Sequence, residues 1–490
     1  MIMTLRRFTS ALLAATLAYS TALAQATTPA PAPAGPELTL EQCIARALAR
    51  NFTLEIGRYA PAIAKDSIEI AQAGYQPQLS ITGATGENSS PGFDSRSSNL
   101  RVGITQELYT GTTLSASSRL DRSSSDPFTV GALNPAYDAD LTLSARQSLL
   151  RGFGTAINRA NLDRAKIGLD RANLDLKATA LDVIQDTENA YYNLAFAREQ
   201  LAVRNFSYAL AQRLFDEAKI RRDTGVATNL DVLQAEVGVA NARRNALLAE
   251  QSAKDRQDAL LGLLGQFQPD ETLGSVRFAD VTEATPVFAS SYQMAKQHQP
   301  DYLSSAAAIE QLKLDLKTAK DDSRPDLTVG AALGLSGTNG SGQDAFGDAL
   351  DRQRNSWQVD FAFNYPWGQT SGKARYRQSL AGLSREQVRL KQLEQNIELQ
   401  VRSAVRSVET NLESVKIAIL AARLSEQQYE LEKAKFDAGQ STSRRVLEAQ
   451  DDLESARVSE LQAKVSLHTA ISGLHRIEGS SLQRYSVNLP

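Results

Sequence analysis

Across 490 residues the chain has one cysteine, three histidines and two tryptophans, and neither sign of charge dominates, with 53 Lys and Arg against 56 Asp and Glu. The lone thiol, Cys43, allows no internal disulfide. In LTLEQCIARALARN it reads as a small apolar helix residue. The three histidines make no metal or acid–base cluster. His298 stands alone, and His468 and His475 lie seven apart on one helical stretch, about 10 Å along the axis and too far for one ion. Gly152 and Gly154 flank Phe153, but no G-x-G-x-x-G or P-loop follows. No metal, cofactor or catalytic residue is expected. The absence of a basic cluster argues against nucleic acid as partner. Beyond the first two dozen residues no apolar run is long enough to cross a membrane as a helix.

Those first residues are a different matter. Arg6 and Arg7 precede the apolar run ALLAATLAYSTALA, which ends in Ala22-Leu23-Ala24. A charged start, a short apolar centre and small residues at the end describe a secretory leader over residues 1–24, cleaved between Ala24 and Gln25. The run is shorter than the ~20 residues a spanning helix needs. Residues 25–37 form a Pro/Ala linker without core-forming content. Cys43 lies too far downstream of the cleavage site to be a lipid-bearing first residue.

What remains is written twice. Gly154 matches Gly368, Gly225 matches Gly439, Thr228 matches Thr442 and Gly265 matches Gly479, each pair 214 apart. Upstream the offset is 248, pairing Ala47 with Ala295 and Pro77 with Pro325. The first copy therefore holds 34 extra residues between Pro77 and Leu141. The expected division is repeat 1 over 38–280, repeat 2 over 281–480 and a tail over 481–490. The period is far longer than a solenoid repeat.

Each copy carries a long helical pattern, to about Arg222 in the first and from about Lys373 to Phe436 in the second. Some 65 residues at 1.5 Å each give a helix roughly 100 Å long. Val401, Val405, Val408, Leu412, Val415 and Ile419 alternate by four and three, and Leu194, Leu201, Tyr208 and Phe215 recur every seven, as in packed coiled coils. Shorter helices, about Thr228–Leu264 and Thr442–Ile477, return antiparallel.

Between about 77–147 and 325–364 the period changes to two. Leu100, Val102 and Ile104 alternate with Arg101, Gly103 and Thr105, and Trp357, Val359, Phe361 and Phe363 with Gln358, Asp360 and Ala362. GENSSPGFDSRSS and GTNGSGQDAFGD read as loops between strands. Two faces of opposite polarity suit a soluble sheet, or an exported barrel with lipid outside and water inside. Tyr365 and Trp367 suit either an interfacial aromatic girdle or packing at the sheet-to-helix junction. Two strands in the second copy and two to four in the first are too few for a closed channel, so several chains are needed.

The helix opening LTLEQCIARALARNFTLEIGR, the junctions QSLLRGFG and FNYPWGQ, and the hairpin tips DTGVATNLDVLQAE and DAGQSTSRRVLEAQ resemble the TolC-like outer-membrane efflux proteins. The resemblance covers nearly everything after the linker. It implies an α+β membrane protein in which antiparallel strands of three copies share one outer-membrane β-barrel and long hairpins form a periplasmic α-barrel. It implies a homotrimer in outer-membrane lipid that acts with a periplasmic adaptor and an inner-membrane transporter, as the passive exit duct of an efflux pump or type I secretion system. The rival expectation is an exported coiled-coil scaffold without a pore. In the family each copy gives two strands; the extra 34 residues leave the count here at four or six per chain.

Gly154, Pro366 and Gly368 mark the sheet-to-helix junctions. At the tips, Gly225 and Gly439 suit turns needing positive φ, and Thr228 and Thr442 suit helix N-caps. The resemblance makes these tips the adaptor-docking ends and places the gate at Asp231, Arg445 and Glu448. Asp231 also reads as the acid of a capping box with Thr228. Arg445, where related channels often carry an acid, is expected to offset Glu448 or to pair with Asp231, a link worth no more than about 1 kcal/mol if exposed.

Overall fold

The computed structural model describes residues 38–128, 130–226, 228–265, 273–278, 285–351 and 354–487. The leader with Ala24 and Gln25, the Pro/Ala linker and the expected repeat boundary at 280/281 lie outside them.

Thr39 and Gln42 form a capping box that starts α1 (Leu40–Arg50), and Asn51 caps α2 (Phe52–Ala73) by accepting from the Thr53 and Leu54 amides. Strands β1 (Gln78–Ser90), β2 (Phe93–Glu107), β3 (Thr112–Asp126) and β4 (Ala136–Ser148) follow. Then come the short α3 (Thr155–Asn158), the 64-residue α4 (Ala160–Asp223) and α5 (Asn229–Leu264). The second half runs α6 (Phe288–His298), α7 (Pro300–Asp322), β5 (Asp326–Asn339), α8 (Gly342–Leu350), β6 (Arg354–Asn364), the 68-residue α9 (Thr370–Asp437), α10 (Ser443–Glu478) and α11 (Ser481–Arg484).

Among the described residues six strands form one antiparallel sheet in sequence order, leaving β1 and β6 as its edges. The first half therefore supplies four strands and the second two. Two expected loops are in fact ordered. GENSSPGFDSRSS is the end of β1 and the start of β2, with Ser90 opposite Phe93 across the Pro91-Gly92 turn. Its residues are polar on both faces, so no alternation betrays the strand, yet the hydrogen-bond ladder holds it and Arg96 pairs with Glu87 at 3.0 Å. GTNGSGQDAFGD holds most of α8, capped by Ser341 and burying Ala345 and Ala349 against β4 and β5.

The helices lie in two layers. Near the sheet, α4 packs between α2 and α7, and α7 packs on α9; towards the tips, α4 packs between α5 and α10, and α10 packs on α9. Val401, Val405, Val408, Leu412 and Val415 form the expected seam of α9, with Leu467 and Leu474 opposite, whereas Ile419 is exposed. On α4 the outcome differs from the seven-residue series. Leu194 is buried, but beyond it the seam passes to Ser207, Ala211, Leu214 and Ala218, and Leu201, Tyr208 and Phe215 are only half-buried. Small residues there let neighbouring helices come close, which outweighs the burial of larger side chains.

The two halves share one tight contact. A Cβ on Gly265 would lie 2.0 Å from the Arg50 carbonyl oxygen, and one on Gly479 would lie 2.7 Å from that of His298. Both glycines also sit at positive φ, 72° and 71°. Each returning helix thus ends against the end of the half's first helix, where no side chain fits.

Candidate functional site

The expected functional residues fall in two regions, the sheet with its helix junction and the hairpin tips. Register across the sheet aligns Leu79, Ile104, Ala116, Leu143, Leu333 and Trp357 in one row, so the apolar face runs unbroken over all six strands. Most of this face is uncovered: Leu79, Ile81, Leu143, Leu333, Trp357 and Phe361 are exposed. Apolar exposure on this scale marks a surface meant for lipid or for partners. The opposite face carries Arg101, Arg119, Arg146 and Asp360, with Arg119 paired to Asp121 at 2.5 Å. Trp367 is 97% exposed and Tyr365 stacks on Phe363 at 6.5 Å, so Trp367 does not pack the junction. At that junction Gly154 and Gly368 take φ of 92° and 82°, and the Pro366 carbonyl accepts from the Gln369 amide.

At the first tip, α4 closes with the Val226 amide donating to the Arg221 carbonyl and the Gly225 amide to that of Arg222. This Schellman pattern needs Gly225 at its φ of 79°. Thr228 then caps α5. Its hydroxyl accepts from the Asp231 amide at 3.3 Å and donates to the Asp231 carboxylate at 2.7 Å, and its amide donates to the same carboxylate at 2.8 Å. Hydrogen bonds from the Thr228 backbone and hydroxyl hold the Asp231 carboxyl below its usual range.

The second tip repeats the turn and not the cap. The Gln440 and Gly439 amides donate to the Lys435 and Phe436 carbonyls, with Gly439 at φ 73°. Thr442 occupies the N-cap position of α10 but makes no side-chain cap hydrogen bond. Arg445, three residues on, has no oxygen with which to reciprocate. Glu448 pairs with Arg444 at 2.8 Å, both exposed. Ser441 donates its hydroxyl to Glu432, whose carboxyl is lowered first by that bond, with Lys435 and Arg445 adding to the effect. Among the described residues no ion pair joins Asp231 to Arg445: one serves the cap of α5, the other lies in the field of Glu432. Arg444, Glu432 and Ser441 were not among the expected site residues. The Arg444–Glu448 spacing of four on a helix was the signal available for one of them.

The tips are also packed together. The Arg221 guanidinium lies 3.9 Å from the Phe436 ring centre, the Gln450 amide donates to the Ser207 carbonyl at 3.1 Å, and Arg204 pairs with Glu454.

Of the histidines, His468 is buried, stacked on Tyr192 at 4.1 Å; His475 is half-buried, its pKa lowered by burial and by Arg484. Among the described residues no group of His, Cys, Asp and Glu suits a metal ion, and no helix is long and apolar enough to cross a membrane.

Known proteins resemble the chain in sequence and in fold. The chain is 25% identical over 375 residues to the pyoverdine export outer membrane protein OpmQ of Pseudomonas putida, covering 72% of this chain and 73% of that protein. It is 22% identical over 433 residues to the outer membrane efflux protein BepC of Brucella suis, covering 87% and 82%. Among solved structures, the outer-membrane channel OprN shares the fold with a TM-score of 0.70 at 18% identity, covering 91% of this chain and 90% of that one. The Campylobacter jejuni CmeC outer membrane channel does so at 0.68 and 17%, covering 92% and 90%. Residues 114–266 and 291–480 match the outer membrane efflux proteins, which are transport conduits rather than enzymes, and the chain belongs to that family.

Proposed function

We propose that three copies of this chain close into a tube, with a shared β-barrel in the outer membrane and an α-barrel in the periplasm, that serves as the exit duct of an export system. One observation carries the reading: every layer of the chain ends in an open edge. The sheet ends in β1 and β6, whose outer sides pair with no further strand among the described residues. The upper helical layer ends in α2 and α9, and α2 exposes Ile56, Tyr59, Ile63 and Ile70 at helical spacing. The lower layer ends in α5 and α9. There α5 exposes Leu230, Leu233 and Val237, and α9 exposes Ile417, Leu420, Leu424 and Leu431. An unpaired strand edge in lipid is prohibitive, and apolar stripes on the outer helices α2, α5 and α9 suit a ring of identical copies.

In this reading the tips at Gly225, Thr228, Gly439 and Thr442 dock a periplasmic adaptor, which links the duct to an inner-membrane transporter. Asp231, Arg445 and Glu448, each repeated three times, set the charge of the periplasmic gate. The duct in this reading is passive, and the inner-membrane transporter supplies the energy. The uncovered apolar sheet face argues against a soluble scaffold. The test is planar-bilayer conductance of detergent-purified protein, with chemical crosslinking to count subunits. Trimers giving discrete, mostly closed currents are expected. A soluble monomer that does not insert overturns the proposal.

A further inference from the structure

The second half of the chain passes from β5 to β6 through α8, whereas the first half places two more strands between β1 and β4. The span from the start of β2 to the end of β3, Phe93 to Asp126, accounts for the 34-residue excess of the first copy. Because two strands are added, β1 and β4 keep their directions and faces. Leu79 reaches Leu143 through Ile104 and Ala116 without leaving the apolar row.

The added hairpin is built into the sheet and into the joint below it. Both its strands pair along their length, β2 with β1 and β3 with β4. Its turn is locked against the helix junction. The Tyr109 ring lies 4.2 Å from that of Tyr75, and the Arg159 guanidinium lies 5.7 Å from Tyr109. The Gly154 amide donates to the Thr110 carbonyl at 3.2 Å, and the Gln147 side-chain amide donates to the same oxygen at 3.2 Å. Gly111, at φ 84°, sits where a Cβ would come within 2.3 Å of the Gly152 carbonyl oxygen. A turn held by this many partners is not free to fold away as a surface loop.

We infer that the β2–β3 hairpin is a widening insert, and that the barrel closed by three copies has eighteen strands where the same chain without the insert would give twelve. The inference rests on the trimeric duct proposed above. Barrel diameter grows roughly linearly with strand number, so the bore becomes about half again as wide and its cross-section roughly doubles. A barrel of that size keeps an open aqueous lumen that side chains cannot fill. The insert's contribution to the polar face is hydroxyl and amide from Ser95, Ser97, Asn99, Thr105, Ser115 and Ser117, together with Glu107, Arg101 and the Arg119–Asp121 pair. Such a passage suits bulky, polar solutes and leaves selection to the helical tips. The ligand class implied is large polar cargo rather than small ions.

The experiment is single-particle cryo-electron microscopy of the full chain in lipid nanodiscs, beside a variant with Phe93–Asp126 deleted. Eighteen strands around a threefold axis, falling to twelve on deletion, is the expected result. A trimer with twelve strands and the hairpin displaced overturns this inference while leaving the duct intact. A particle without a shared barrel overturns both. Where the deletion variant does not fold, the strand count of the unaltered chain still decides. In a background with opened tips, the deletion is also expected to lower conductance of the barrel section up to about twofold; equal conductance counts against the wider bore.

Discussion

The two hairpin tips share a turn and differ in their caps, and that difference sets a measurable asymmetry. Replacing Thr228 by alanine removes the hydroxyl that accepts from the Asp231 amide and donates to its carboxylate. Loss of an N-cap of this kind costs about 1 kcal/mol, roughly a fivefold rise in local opening of the first turn of α5. Thr442→Ala removes no such bond, because the Thr442 side chain makes no cap contact. Its effect should stay within about 0.5 kcal/mol, as for a surface substitution away from such features. Arg445→Asp works in the opposite direction. It supplies the missing acid of a capping box and replaces a cation at the positive end of α10, together worth about 1–1.5 kcal/mol. Hydrogen–deuterium exchange on peptides covering 228–235 and 442–449 reads all three. Faster exchange at the first tip for Thr228→Ala, no change for Thr442→Ala and slower exchange for Arg445→Asp are expected. Equal acceleration by the two threonine variants, or no slowing by Arg445→Asp, would refute the reasoning.

Other outcomes follow from the same geometry. Arg445→Asp should also raise cation preference or cation block of the channel, read from reversal potentials; unchanged conductance and selectivity would remove Arg445 from the gate. The depressed Asp231 pKa means its stabilisation of the cap is present above the unfolded value near 3.9 and is lost as pH falls through the lower folded value. Fraying of α5 should therefore appear only below about pH 4, and fraying at pH 5 would contradict that. Gly265→Ala combines a positive φ with a backbone clash against Arg50 and should cost at least about 2–3 kcal/mol, visible as a lowered unfolding temperature in detergent. Tyr485→Phe removes the hydroxyl that donates at 2.5 Å to the buried Glu188, which Ser472 also contacts. A loss of about 1–3 kcal/mol is expected in the same assay.

Much of the fold was legible because its signals are local. The long helices end within a few residues of where their patterns do, since Gly225 and Gly439 stop them by the backbone conformation they permit. Thr228 with Asp231 announced a capping box; the cap expected equally of Thr442 is not made by its side chain, because Arg445 stands where the first tip has the acid. The strand face was legible where apolar residues alternate, from Leu100 to Ile104 and from Trp357 to Phe363. It was not legible from Gly86 to Ser98, where both faces are polar and only cross-strand pairing holds the chain extended. The count of six strands and the locking of the hairpin turn depend on contacts between Tyr109, Tyr75 and Arg159, distant in sequence. The seam of α4 beyond Leu194 was misjudged for a related reason. Its partners on α5, α9 and α10 decide that Ala211 and Ala218 are buried while Tyr208 and Phe215 are not. The open flanks of α2, α5 and α9 became visible only once the order of helices in each layer was known.

The central claim is that these flanks close on further copies of the chain. Native mass spectrometry of the detergent-purified protein tests it most directly, with Leu424→Asp as the comparison. Leu424 is exposed in the single chain, so the substitution should spare the fold while placing a charge in the proposed seam. The account predicts a complex of three chains that Leu424→Asp dissociates into folded monomers. A native protein that is already a monomer, soluble without detergent, would contradict it.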